Sequence, residues 1–543
     1  MFVRIKKPGK YQYLQIVENK KEQGKVKQRV IATVGRMDQL HDKDRVETLI
    51  RSLARFSEKA LLILSGKSDV KADSLTIGPT LIFQRLWEKS DIQDVISHLL
   101  TGRKFEFDVE RAIFLTVLHR LMTSGSDRHC DRWKRDYLIP GTEDLELHHL
   151  YRAMTFLGES ITDEGAALGP RRNKDLMEEM MFQHNKDLFS ELDLVFFDTT
   201  SIYFEGQGGT FFGNRGFNKD HRPDLHQMVV GAVLDDNGRP VCCEMWPGNT
   251  TDVKTMIPVV DRLRDRFGIG QFCIVADRGM ISSDTISKLE ARQMPYILGT
   301  RMRRVKEVKA EILTRAGRYK EVYPENADRS KPSPLKIKEV IHNESRYIVC
   351  LNERQARKDA ADRQAIIESL KKQLKKGPKA LVGNKGYRKY LKVQKDSAQI
   401  DTAKIGDESR FDGKWVLTTN TNLIPEQVAL KYKELWRVER VFRDVKSLLD
   451  TRPVYHQKDE NIAGHVFCSF LALVLRKDLD RSLAESKNQF EWNEIKQDLK
   501  ALKRVEIEED GQRFAIRSEC KGVCGKIFQS VGVALPPTIK ALN

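Results

Sequence analysis

Apolar and polar positions alternate between 11 and 35, as in Tyr13-Leu14-Gln15-Ile16-Val17 and Arg29-Val30-Ile31-Ala32-Thr33-Val34, with the polar stretch 18–25 and its Gly24 between the runs. A period of two broken by a turn residue predicts a β-hairpin. From about 43 to 190 apolar residues recur at steps of three and four, for example Ile50, Leu53, Leu61 and Ile63, then Ala112, Leu115, Leu118 and Leu121. That spacing predicts a helical domain behind a small β unit. It carries no recognisable helix-turn-helix pattern, although a DNA-binding role fits its place in a basic chain.

The texture changes at Leu194-Val195-Phe196-Phe197, a continuous apolar run that ends at Asp198. Such a run reads as a central strand buried on both faces. Strands at 226–234 and 239–246 flank Asp235-Asp236-Asn237-Gly238, whose Asn-Gly pair is a strong hairpin turn. Helical spacing follows over 252–267 (Val253, Met256, Val259, Val260, Leu263), with Thr251 as a cap. A second apolar strand, 272–276, ends at Asp277; a capped helix over 282–292 and a short strand at 296–298 come next. The order is β-β-β-α-β-α, with an Asp closing the first strand and another closing the fourth.

Residues 300–415 read as an insertion. Short strands at 335–341 and 346–351 surround a turn at Asn343-Glu344. A basic helix over 354–376 stops at Gly377-Pro378, and Lys414-Trp415-Val416-Leu417 is strand-like. One long helix is predicted over 425–450, capped by Asn422 and opened by Pro425. Its apolar stripe is Val428, Leu435, Val438, Phe442, Val445 and Leu449, and beside it run Tyr432, Trp436, Glu439, Arg443 and Lys446. Another apolar helix covers 461–483, and the tail from about 490 is mixed. No internal repeat is evident.

At 543 residues the chain has room for about three or four domains, and 40% hydrophobic residues suffice for real cores. The net charge of +17 favours a polyanion, nucleic acid or an anionic membrane. Its distribution narrows this: residues 301–395 hold 27 Lys and Arg against 11 Asp and Glu, nearly the whole excess. A solubility charge would be spread more evenly. The cysteines, Cys130, Cys242, Cys243, Cys273, Cys350, Cys468, Cys520 and Cys524, mostly lie in apolar runs and contain no CxxC pair. They read as reduced packing residues of a reducing compartment rather than as zinc ligands. Residues 1–10 are short and basic, unlike a signal peptide, and the apolar stretch 466–475 is half a membrane span. The expectation is a cytoplasmic protein with no membrane partner.

Cleaving a phosphodiester near neutral pH requires an activated water and neutralisation of charge on the attacking and leaving oxygens, which two divalent cations supply together. Magnesium takes carboxylate and water oxygens. Asp198 and Asp277 each follow an apolar strand run, so neighbouring parallel strands would bring both carboxylates to one edge. Either Asp alone reads equally as a cap or loop residue. Glu439 alone reads as an i,i+4 ion-pair partner of Arg443. An acid, an aromatic and basic groups on one helix face favour a site, because the bases can hold phosphates while the acid holds metal. Asp220, Asp224, Asp235 and Asp236 sit in turn contexts and read as solvated. His226, His456 and His465 lack a nucleophile partner and read as packing residues. No P-loop is present.

Here the residues resemble the DDE transposases of bacterial insertion sequences, in the insertion-sequence-four superfamily. Asp198-Thr199-Thr200-Ser201 resembles the first-Asp motif and Asp277-Arg278-Gly279-Met280 the second. Tyr432, Glu439 and Lys446 fit the Tyr-Arg-Glu-Lys signature, while Leu435 stands at the signature Arg place, so that role stays unassigned even with Arg437 nearby. Lys219-Asp220, Arg222-Pro223-Asp224-Leu225, Pro247-Gly248-Asn249 and Arg452-Pro453-Val454-Tyr455-His456 also resemble family segments. The resemblance covers about 190–480. It implies an α/β fold with an RNase H-like catalytic core, and it makes Asp198, Asp277 and Glu439 the ligands of two Mg²⁺ ions, with Mn²⁺ able to substitute. It implies DNA contacts by Tyr432 and Lys446, to which the shared helix face adds Arg443. The expected partners are double-stranded DNA, the terminal inverted repeats and target DNA, bound by a homodimer. A nuclease that cuts without joining, or an inactive DNA-binding repressor, are the alternatives.

The expected domains are a β unit over 1–42, a helical domain over 43–190 and the first part of the core over 191–300. A basic β-rich insertion over 301–415, the rest of the core with the Glu helix over 416–485, and a tail over 486–543 follow.

Overall fold

The computed structural model describes residues 2–22, 25–41, 71–162, 170–185, 193–217, 222–323, 334–375, 389–394, 397–448, 451–509 and 512–542. Ile50, Leu53, Leu61, Ile63, Lys219-Asp220, Gly377-Pro378 and Leu449 lie outside the described residues. The chain forms two compact units, one of 1–86, 129–143 and 479–543, the other of 87–128 and 144–478.

In the first unit β1 (Phe2–Lys6), β2 (Tyr13–Glu22) and β3 (Lys25–Arg36) make an antiparallel sheet around the predicted hairpin. β4 (Lys71–Thr76) joins a four-stranded sheet with β18 (Lys503–Glu509), β19 (Gln512–Arg517) and β20 (Ile539–Leu542). The C-terminal residues, a mixed tail by pattern, thus pair with a strand more than 400 positions earlier, Lys503 lying opposite Thr76. Short strands half-covered on one face give no periodic signal strong enough to predict such a partner.

The second unit opens with helices. Val109–Met122 is buried on nearly all sides, its polar Glu110, Thr116, His119 and Arg120 included. Asp108 caps it, accepting from the Arg111 amide at 3.0 Å. One short antiparallel pair, β5 (Ser160–Thr162) with β6 (Arg171–Arg172), precedes the main sheet.

That sheet holds nine strands. They are β7 (Leu194–Tyr203), β8 (Gln227–Leu234), β9 (Pro240–Pro247), β10 (Cys273–Ala276), β11 (Tyr296–Gly299), β12 (Lys320–Val322), β13 (Leu335–His342), β14 (Ser345–Asn352) and β17 (Lys414–Thr419). Their spatial order is β12-β13-β14-β17-β11-β10-β7-β8-β9. Only β7, β10 and β11 run parallel to their neighbours in the middle. Parallel strands need crossovers, and the helices Met256–Asp265 and Ser283–Ala291 supply them. Ser282 caps the second helix, accepting from the Thr285 amide at 3.0 Å. The expected order β-β-β-α-β-α is present. The strands of 301–415 do not stand apart: β14 pairs with β17, and β17 with β11, so they continue the same sheet. Beyond them the hairpin of β15 (Leu391–Gln394) and β16 (Ser397–Ile400) stands by itself. The basic helix spans Glu353–Leu374 and is capped by Asn352.

Two local expectations change. Asp198 does not close its strand, because β7 runs on to Tyr203, paired throughout with β8. The long helix expected over 425–450 is three pieces: Pro425–Lys433, Trp436–Arg443 and a π-helical stretch Asp444–Leu448. The first begins after Ile424 rather than Asn422. At the joint the amides of Leu435, Arg437 and Val438 bond three residues back, to Tyr432, Glu434 and Leu435, tightening the turn. The apolar stripe Val428, Leu435, Val438, Phe442 and Val445 is buried as expected.

Candidate active site

Asp198 and Asp277 meet through strand register. β7 and β10 are parallel, with Phe197 opposite Ala276, so the next residues on both strands are the two acids. Between Leu194 and Phe197 the run is fully buried, whereas Asp198 is partly open. The Asp198 Oδ1 accepts from the Thr199 amide at 2.7 Å. The Thr199 hydroxyl lies 2.7 Å from Asp252 Oδ1. Asp252 opens the short helix Asp252–Lys254, which packs on Arg278–Met280, the turn after Asp277. A Cβ built on Gly279 would meet the Asp252 carboxylate at 3.4 Å. Asp252 is therefore a third acid beside both Asp motifs. Sequence reading passed over it as a residue at the start of a helix; its place five positions after Pro247 in a resembling segment was the available signal.

The two helix pieces pack on different strands. Pro425–Lys433 packs on β10, β11, β13 and β14, and Trp436–Arg443 packs on β7 and β8. From the first piece the Tyr432 hydroxyl donates to Asp277 Oδ1 at 3.1 Å. Burial, then the Asp277 charge, push that phenol well above its usual range, so it stays a donor. From the second piece Glu439 is exposed, one turn from exposed Trp436 and Arg443, with Lys446 half-buried in the π-helical stretch. Arg437 is taken up elsewhere: its guanidinium donates to the Asp236 carbonyl at the β8–β9 turn. Asp235 and Asp236 thus differ from one another. Asp235 is buried, accepts from the Arg239 amide at 2.7 Å and has its carboxyl pushed by burial up to about 6.

Beside Asp277 opens a cavity of about 460 Å³ lined by Phe217, Arg278, Gly279, Arg301, Met302, Arg303 and Arg304. Arg301 fixes the turn, donating to the Arg278 carbonyl at 2.9 Å and the Gly279 carbonyl at 2.7 Å. Trp415 is a partly buried member of β17 opposite Cys350.

A different cluster gathers Asp127, His456 and His465, with one ligand atom from each within 4.8 Å of the others. A guanidinium already supplies positive charge there: Arg120 Nη2 lies 3.0 Å from His465 Nδ1 and 3.5 Å from Asp127 Oδ1. Burial would raise the Asp127 carboxyl, but the His456 hydrogen bond and Arg120 hold it below its ordinary range, and burial keeps His465 neutral. This is a hydrogen-bonded ion cluster. All eight cysteines are free thiols, and seven are buried. Among the described residues no helix is long and apolar enough to cross a membrane.

Residues 190–475, over half of the chain, match the family model described as the transposase DDE domain. The chain belongs to the DDE transposases, and it is an enzyme of DNA transposition. Residues 3–67 match the family model described as the IS1634 family transposase, N-terminal domain. Transposase DDE domains use divalent metal ions. No curated protein matches the chain significantly. Among solved structures it is similar to the cryo-EM structure of a piggyBac transposase synaptic complex with hairpin DNA. The identity is 9% over 78% of this chain and 79% of that one, with a TM-score of 0.35.

Proposed function

We propose that Asp198, Asp277 and Glu439 hold two Mg²⁺ ions, for which Mn²⁺ can substitute, in an RNase H-like core that cuts and joins the ends of an insertion sequence. The register that sets Asp198 beside Asp277 on parallel central strands carries this reading. An all-carboxylate donor set suits a hard cation such as Mg²⁺. When bound, the ions activate water and neutralise charge on the attacking and leaving oxygens. Tyr432 orients Asp277, and the Thr199 amide orients Asp198. Arg278, Arg301, Arg303 and Arg304 line the side of the site where a phosphate backbone approaches. Arg443 and Lys446 extend that positive face along the Glu439 segment. The terminal inverted repeats and target DNA are the substrates, and a homodimer in the bacterial cytoplasm is the working form. In this reading the catalytic core comprises 191–300 and 416–485, and the domain over 43–190 is the one expected to add DNA contacts.

The test compares wild type with Glu439→Gln on supercoiled DNA carrying the element's ends, in Mg²⁺. Loss of cleavage with DNA binding retained is the expected result; full cleavage by the variant would return Glu439 to a surface ion-pair role. Joining of the freed ends to a second plasmid separates a transposase from a nuclease.

A further inference from the structure

We infer that a cavity in the second unit is a binding site for a nucleotide whose base is unpaired, held by its phosphate and its ring together. The three acids take no part in it, so the inference goes beyond the transposase reading. The cavity measures about 890 Å³ and is walled by residues of 125–127, 148–155 and 452–465, all within that unit. Small-ligand sites have that size, roughly 300–1,000 Å³. A base must leave its duplex stack before it can enter such a hollow. The wall includes most of the segment Arg452–His456, which has no part in the acid site.

The charge of the wall suits an anion. Arg152 and Lys458 are exposed there and Arg452 is half-buried. Asp127 is the one acid among the lining residues, and it is already engaged: His456 Nε2 lies 3.2 Å from its Oδ2 and Arg120 Nη2 3.5 Å from its Oδ1. Arg152 also meets the exposed Glu106 at 3.3 Å, a surface contact that a phosphate can displace. Guanidinium and ammonium groups around one hollow are the chemistry of phosphate binding. The rings suit a base. Tyr455 is 64% exposed, and Tyr151 stands edge-on to His456 with ring centres 5.7 Å apart. An open tyrosine beside cations is a stacking platform for an unpaired base, and a bare phosphate would leave that ring unused.

The floor is fixed and polar. Arg120 donates to His465 Nδ1 at 3.0 Å, which leaves the His465 proton on Nε2, 3.2 Å from the Thr451 carbonyl. His465 therefore has no lone pair to give a metal ion. Asn461 accepts from the Thr155 hydroxyl and donates to the Tyr151 carbonyl, both at 3.1 Å. His456 turns Nε2 to Asp127 and keeps Nδ1 for the edge of a bound base. The wall also adjoins the strand of the acid site: the Val454 amide donates to the Tyr203 carbonyl at 3.1 Å and the Glu205 amide to the Val454 carbonyl at 2.9 Å. Tyr203 ends β7, five residues beyond Asp198, roughly 17 Å at about 3.3 Å per residue. The same chemistry therefore has two sources, a free nucleotide or one unit of an unpaired strand that runs on to the acids.

The experiment uses the full chain without Mg²⁺. Titration calorimetry compares deoxyadenosine 5′-monophosphate with deoxyadenosine and with inorganic phosphate, and the monophosphate should bind about tenfold or more tightly than either part alone. Tyr455→Ala and Lys458→Ala should each weaken it about tenfold. Circular dichroism should be unchanged, since both side chains are exposed. A labelled oligodeoxyadenylate and a blunt duplex of the same length, followed by fluorescence anisotropy, separate the two sources. Single-strand affinity that falls in Tyr455→Ala while duplex affinity holds assigns the site to a strand. Monophosphate binding that the single strand does not compete away assigns it to a free nucleotide. Inorganic phosphate bound as tightly as the monophosphate overturns the inference and leaves an anion site. So does a Tyr455→Ala variant that binds both the monophosphate and the single strand as wild type does. Glu439→Gln should bind the monophosphate unchanged, so a failure of the metal assignment and a failure of this one are read separately.

Discussion

The Tyr432 hydroxyl reaches Asp277 Oδ1 at 3.1 Å over Gly299, where an added Cβ would meet the hydroxyl oxygen at 2.2 Å. The glycine leaves the space through which the helix tyrosine touches the strand acid. Tyr432→Phe keeps the ring and removes the donor. A lost hydrogen bond to a charged group is worth roughly 1.5–3 kcal/mol, so cleavage should fall at least tenfold, measured as initial rate across a Mg²⁺ titration. An unchanged rate at every Mg²⁺ concentration would remove Tyr432 from the site.

Gly299→Ala should act on the same contact from below. Overpacking costs typically about 1–3 kcal/mol, and here the displaced atom is the Tyr432 hydroxyl. The variant should unfold at lower denaturant and cleave more slowly. Combined with Tyr432→Phe, which withdraws the clashing oxygen, it should lose less stability than the two single changes added together. Strict additivity in urea melts would refute the contact.

Asp252 borders both Asp motifs without lying in either. Asp252→Asn keeps an oxygen for the Thr199 hydroxyl and removes a charge. Cleavage should drop while the melting temperature stays near wild type. A large fall in melting temperature with normal cleavage per folded molecule would make Asp252 a packing residue only.

Arg262 is buried among three acids, 2.7 Å from Glu178, 3.1 Å from Asp175 and bonded to Glu244, and Lys174 lies 2.6 Å from Asp175. Removing one partner leaves buried charge uncompensated, at a cost of about 3–5 kcal/mol. Arg262→Met should show that loss in chemical denaturation. A change below about 1 kcal/mol would mean that water reaches the cluster.

Asp235 has a folded-state carboxyl raised to about 6 against an ordinary value of 3.8, through burial. Its protonated form is favoured on folding, so its contribution is full below pH 3.8 and is lost as pH rises through about 6. Asp235→Asn retains an acceptor for the Arg239 amide and cannot ionise. Its stability relative to wild type should therefore climb with pH and level off above about 6, by roughly 2–3 kcal/mol from the size of the shift. A difference flat from pH 4 to 8 would contradict the burial of that charge.

The sequence by itself determined the elements whose pattern is strong and local. Leu194–Phe197 and Cys273–Ala276 are runs too apolar for anything but central strands, and each ends against an acid. The stripe Val428–Val445 could only be a buried helix face, and the hairpin of 11–35 announced itself by alternation. Tertiary structure decided what lies next to what. Strand direction and register, which bring Asp198 beside Asp277, depend on long-range hydrogen bonds that one strand does not encode. The same holds for β18 pairing with β4, and for the strands of 301–415 extending the central sheet. The break after Lys433 is also a tertiary effect. It lies where the helix passes from packing on β10 and β11 to packing on β7 and β8, neighbours that its own sequence does not name.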